Sequence, residues 1–161
     1  MTIQQETWPQ YVPYYLELKQ KLEKAAWFGD GWLYDAWENT PFSTASGQLY
    51  KAHWYNQNKN GIHFDCWISE KEVETRKISI ALHAHKDFPK AREFIKLFAQ
   101  RVTPLVADWK DCSLSETSPR QPLIITTRYT PDTLVSQLEQ NYQRIQALGP
   151  LIDQTIADVL A

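Results

Sequence analysis

A chain of 161 residues can bury about two-thirds of its unfolded surface in one core, and with neither repeats nor a dividing linker, residues 1–161 read as a single domain. Net charge −2 and a pI near 6.1 exclude a global basic field, so charge does not favour nucleic acid, and no apolar run reaches membrane-spanning length. Two cysteines without metal-ligand spacing, and an N-terminus lacking basic and apolar leader regions, lead us to expect a cytoplasmic protein that is not exported.

From Trp8-Pro9 to about Phe28, Tyr11, Tyr15, Leu18, Leu22 and Ala25 recur at helical spacing, and Gly29-Asp30-Gly31 ends the run. Residues 32–47 read as a short helical turn followed by a loop rich in Pro, Ser and Gly. A loop holding Trp32, Trp37 and Phe42 must bury these rings or present them to a ligand.

Gln48 to Lys86 then reads as a meander of three antiparallel strands carrying all four histidines. In 61–69, Ile62, Phe64, Cys66 and Ile68 alternate with His63, Asp65, Trp67 and Ser69, the period of a strand with one buried face. In 76–85, Ile78, Ile80, Leu82 and Ala84 alternate in the same way with Lys77, Ser79, Ala81, His83 and His85. Glu70 to Thr75 is expected to be the hairpin connection between them, and Gln57-Asn58-Lys59-Asn60-Gly61 the preceding turn.

Directly paired residues share a face, so only pairings of equal parity place Ile62, Phe64 and Cys66 beside Ile80, Leu82 and Ala84. On that register His63 meets His83. Carried through the first hairpin as well, it gathers His53, His63, His83 and His85 on one face with Lys51, Tyr55, Asp65 and Trp67.

Beyond the meander, Asp87-Phe88-Pro89 resembles a capped helix start leading to about Pro104, and Leu123 to Tyr129 is β-branched enough for a further strand. The stretch from Trp109 to Pro122 is polar and irregular, with room for a short edge strand. Thr130-Pro131-Asp132 starts a last helix whose apolar stripe continues across Gly149-Pro150 to the end, kinked or as two helices in line. The order α-β-β-β-α-β-α predicts an α+β fold in two layers, an antiparallel sheet of meander plus one strand with helices packed on one face.

No P-loop, dinucleotide fingerprint, nucleophile elbow or zincin helix is present, and five glycines scattered along the chain build no local phosphate cradle, so no catalytic residue is assigned. Two candidate sites remain. His63, His83 and His85 stand at strand spacing that lets three imidazoles converge on one zinc ion, leaving a fourth position for water. The plainer reading of the same row is an ordinary polar sheet face. Trp32, Trp37, Tyr55 and Trp67, with Lys51 and Asp65, form the second candidate, an aromatic platform for a peptide, a small apolar ligand or unstacked bases.

Gly61-Ile62-His63-Phe64, Ile78-Ser79-Ile80-Ala81-Leu82, Asp108-Trp109 and the long terminal helix resemble a domain of unknown function found at the C-terminus of some restriction-endonuclease-like nuclease proteins. The resemblance implies an accessory or recognition domain in a restriction or defence setting and carries over no catalytic residue. The Asp then Glu-x-Lys pattern of such nucleases is missing, because Ile78-Ser79-Ile80 stands where the second acid and the lysine belong. The expectation is therefore a small binding or accessory protein, not catalytic in itself and without a cofactor, acting on a protein partner or on itself. The alternative is a metal-dependent hydrolase using zinc on the histidine cluster.

Overall fold

The structure is a computed structural model and describes residues 6–54, 61–110, 112–113 (backbone only) and 122–161. A 3-10 turn at Trp8–Tyr11 runs into α1 (Val12–Glu23), where Tyr15, Leu18 and Leu22 turn inward at the expected spacing. A second 3-10 turn, Ala26–Asp30, ends at Gly31, whose φ of 95° a side chain would resist.

Trp32–Asn39 is a strand, β1, where the sequence suggested helical turn and loop. Its Trp32 and Tyr34 face the core while Leu33, Asp35 and Trp37 face out. Large apolar groups on both faces hide the period of two that marked the later strands. A tight Thr40–Phe42 turn, closed by Ser43 at φ 54°, leads into β2 (Thr44–Lys51), which starts and ends earlier than its aromatics suggest. β3 (Ile62–Ile68) and β4 (Lys77–Ala84) follow as expected.

The link between β3 and β4 is more than a hairpin turn. Ser69 and Glu72 form a reciprocal capping box, each satisfying backbone or hydroxyl groups of the other, and this starts the short helix α2 (Glu70–Thr75). α2 stops at Arg76, at a left-handed φ of 57°, where the backbone N–H donates to Glu72 O and the C=O accepts from the Tyr129 N–H, while the guanidinium donates to Tyr11 Oη at 2.8 Å and to Glu6 Oε2 at 2.7 Å. That pairing also holds the Glu6 carboxyl below its ordinary range.

After α3 (Ala91–Val102), the two-residue edge strand β5 (Cys112–Ser113) and β6 (Leu123–Arg128) complete the sheet in the order β1-β2-β3-β4-β6-β5, antiparallel throughout. The terminal stripe folds as α4 (Leu134–Ile145) and α5 (Gly149–Leu160), joined by a 3-10 turn with Pro150 in the first turn of α5, where its missing N–H has no helical partner to lose. α1 packs on β1 and β2 and against α4, and α3 packs on β4 and against α5. The predicted α+β architecture of helices on one face of an antiparallel sheet is thus the fold, with one more meander strand and one more helix than the sequence suggested. Among the described residues no helix is long and apolar enough to cross a membrane.

The core lies between the layers. Ile62, Phe64, Cys66 and Ile68 of β3 and Ile78, Ile80, Leu82 and Ala84 of β4 are all buried there, and their pairing is the expected one, with Phe64 opposite Leu82 and Cys66 opposite Ile80. Tyr15, Tyr34 and Tyr142 converge on Cys66 from α1, β1 and α4. Tyr15 Oη lies 3.3 Å from Cys66 Sγ, and the Tyr34 and Tyr142 rings meet edge to face at 5.7 Å. Burial pushes the Cys66 thiol up to about 12 and all three phenols well above their ordinary value.

Candidate functional site

Which side chains meet on the outer face of the sheet follows from three pairings. His63 lies opposite His83, Gln48 opposite Asp65 and Asp35, and Ser46 between Trp37 and Trp67. Pairing of β2 with β3 joins even residues to odd ones, so the parity carried through the first hairpin in the sequence reading does not hold there. The consequence is a different set of neighbours.

Trp37, Asp65 and Trp67 come together on the outer face with His63, His83 and His85, and all six line a cavity of about 680 Å³. Lys51 and Trp32 are directly paired on the opposite face, where both are buried and the Lys51 ammonium sits 4.8 Å from the Trp32 ring centroid. Neither belongs to the site. His53, which follows the end of β2, lies beside Asp153 of α5, with its Nε2 2.7 Å from Oδ1. The same carboxylate oxygen accepts the indole N–H of fully buried Trp54 at 2.7 Å. Tyr55 lies outside the described residues.

At the centre of the cavity wall His63 is only 5% exposed. Its Nδ1 lies 2.6 Å from Asp65 Oδ1, where the carboxylate accepts from a ring proton on Nδ1. The His83 ring follows at 5.3 Å between centroids, tilted by 33°, and the His85 ring a further 6.0 Å on. His85 is turned toward its own chain, its Nδ1 accepting the Asp87 N–H at 3.1 Å. The histidines therefore form a row, and among the described residues no group of three or more His, Cys, Asp or Glu side chains is arranged to hold a metal ion.

Sequence reasoning missed Gln48 and Ser46, and for Phe42 left open whether the ring is buried or presented. Gln48 and Ser46 belong to the site through the even-to-odd pairing of β2 with β3, which no local pattern announces. Phe42, 76% exposed at the turn between β1 and β2, stands at the rim. Its signal was Thr40-Pro41-Phe42-Ser43, a tight turn carrying a large ring, which is where a hairpin tip presents a side chain to a ligand. At the margin of the face Tyr50 donates to Asp35 Oδ2 at 2.7 Å, and burial together with that carboxylate pushes its phenol up to about 12.

Comparison with known proteins finds no family model, no curated relative and no solved structure that matches this chain.

Proposed function

We propose that the chain is a small binding or accessory protein, without catalytic activity of its own, that recognises a protein partner or a second copy of itself through the outer face of the sheet. One observation carries this reading. The cavity is bounded at its rim by Phe42, Trp37 and Trp67, of which Phe42 is largely exposed and Trp67 36% exposed, over a floor of polar side chains. Large rings left in water beside oriented polar groups are the composition of recognition surfaces, where aromatics supply contact area and the polar groups supply orientation. A zinc hydrolase finds no converging ligand set in the histidine row, so the structure lends that alternative no support. The resemblance to a domain of nuclease proteins directs the search for a partner toward a nuclease subunit.

The test uses the intact chain and its Phe42→Ser/Trp67→Ser variant as baits and in sedimentation. Both substitutions are at exposed or rim positions, so the fold should persist. The expected result is a partner, or a self-association, present with the parent chain and lost in the variant. Identical captures and identical sedimentation for the two proteins would refute the reading.

A further inference from the structure

The rim of the cavity has a more specific geometry than an aromatic patch. Trp37, Ser46 and Trp67 occupy one cross-strand row, so the two indoles rise from strands on either side of a serine. Two interstrand spacings put their Cα atoms about 9.5 Å apart. Ring-to-ring contact needs about 3.5 Å on each side of an inserted group, so the gap over the small Ser46 side chain suits one flat group between two indoles. The row beside it supplies Gln48 opposite Asp65, at one end of this slot.

Charge selects among flat groups. Asp65, with a side chain 17% exposed and already accepting from His63, contributes a carboxylate to the cavity, and no Lys or Arg among the described residues lines it. A ligand carrying phosphate or carboxylate would meet a like charge there, with no lysine or arginine in the described lining to offset it. A guanidinium meets both requirements, because it is planar, stacks on indole faces as a cation and offers a fork of N–H donors to a carboxylate and an amide oxygen. We infer that the slot between Trp37 and Trp67 takes the guanidinium of an arginine side chain presented by a protein partner, with Asp65 as counter-ion and Gln48 as a further acceptor. The inference rests on the reading of this face as a binding surface and names the chemistry it selects.

The experiment follows the indole N–H signals of the 15N-labelled full chain at pH 7 while Nα-acetyl-arginine amide, Nα-acetyl-lysine amide or guanosine is added. Arginine amide should shift the Trp37 and Trp67 signals saturably, with lysine amide at least about tenfold weaker, since an ammonium has no plane to stack. Trp32 and Trp54, on the helix side, serve as unmoved references. Asp65→Asn should weaken arginine amide about tenfold by removing the charge-assisted hydrogen bonds, and Trp67→Ala should abolish the shift. The comparison of the three probes on the parent chain stands even if Asp65→Asn fails to fold. Equal response to lysine and arginine overturns the flat slot, and response to guanosine alone makes the site a base-binding one; both leave a binding surface in place. Silence toward all three probes overturns the inference, while the bait comparison above decides separately whether the face binds a partner.

Discussion

Gly47 is the point where the core and the cavity are separated by the backbone alone, and a methyl group there tests the packing beneath the site. A Cβ at Gly47 would lie 2.0 Å from Tyr34 Oη, 2.7 Å from Tyr34 Cζ and 3.0 Å from Tyr15 Cδ1. Tyr34 is 2% exposed and pressed against Tyr142, so its ring cannot swing into water. Overpacking of this kind costs roughly 1–3 kcal/mol, and replacing a strand glycine by alanine returns roughly 0.5–1 kcal/mol of backbone entropy. Gly47→Ala should therefore destabilise by about 1–2 kcal/mol, a fall in Tm of roughly 2–8 °C for a chain of this size. Adding Tyr34→Phe removes the nearest atom and should recover part of the loss. It should itself be close to neutral, because among the described residues the buried Tyr34 hydroxyl makes no hydrogen bond. Gly29→Ala is the control, with nothing within 4 Å of the added carbon. Thermal melts followed by circular dichroism measure all four proteins. Gly47→Ala melting at or above the parent temperature would refute the account of the β1–β2–α1 packing.

Asp153→Ala removes the acceptor 2.7 Å from the indole N–H of buried Trp54, and chemical denaturation should show a loss of about 1–3 kcal/mol, whereas His53→Ala, at an exposed position, should cost little. Ser69→Ala breaks the capping box of α2 and should cost about 0.5–2 kcal/mol in the same assay. Stability should also fall as pH rises above about 9, because Cys66 and the buried phenols are raised in the folded chain and the unfolded chain ionises first. The contribution is fully present below the ordinary thiol and phenol values and is lost progressively above them, so denaturant midpoints at pH 7, 9 and 10.5 should decline in that order. In a Cys112→Ser background, native Cys66 should resist iodoacetamide at pH 8 and react once the chain is unfolded.

Much of the fold was legible because burial on one face writes a period of two or 3.6 into the residues. β3 and β4 alternate apolar with other residues, β6 is rich in β-branched residues, and α1, α3, α4 and α5 carry apolar stripes, so class and layering could be read from local pattern. β1 could not, because Trp32 and Tyr34 inside and Leu33 and Trp37 outside leave no alternation to detect. α2 is the opposite case. Ser69-Glu70-Lys71-Glu72 contains the capping signature in full, and the strong strand patterns on both sides drew the link into a hairpin reading.

The site depended on register, which is a long-range property. His63 beside His83 followed from matching two apolar rows that both had to be buried, so the β3–β4 pairing left little freedom. β2 offered no such constraint, since its inner row of Ala45, Gly47, Leu49 and Lys51 includes a glycine and a lysine while its outer row carries the ring of Tyr50. Its true pairing exchanges the parity of the whole strand, taking Lys51 into the core over Trp32 and bringing Gln48 beside Asp65. That exchange decides the electrostatics of the cavity. With Lys51 on the face an ammonium would share it with Asp65; with Lys51 on the other side Asp65 lies among imidazoles, indoles and an amide, the surroundings on which the proposed arginine preference is argued. A single step of register, invisible in composition, thus decides which charged side chains share the cavity with Asp65.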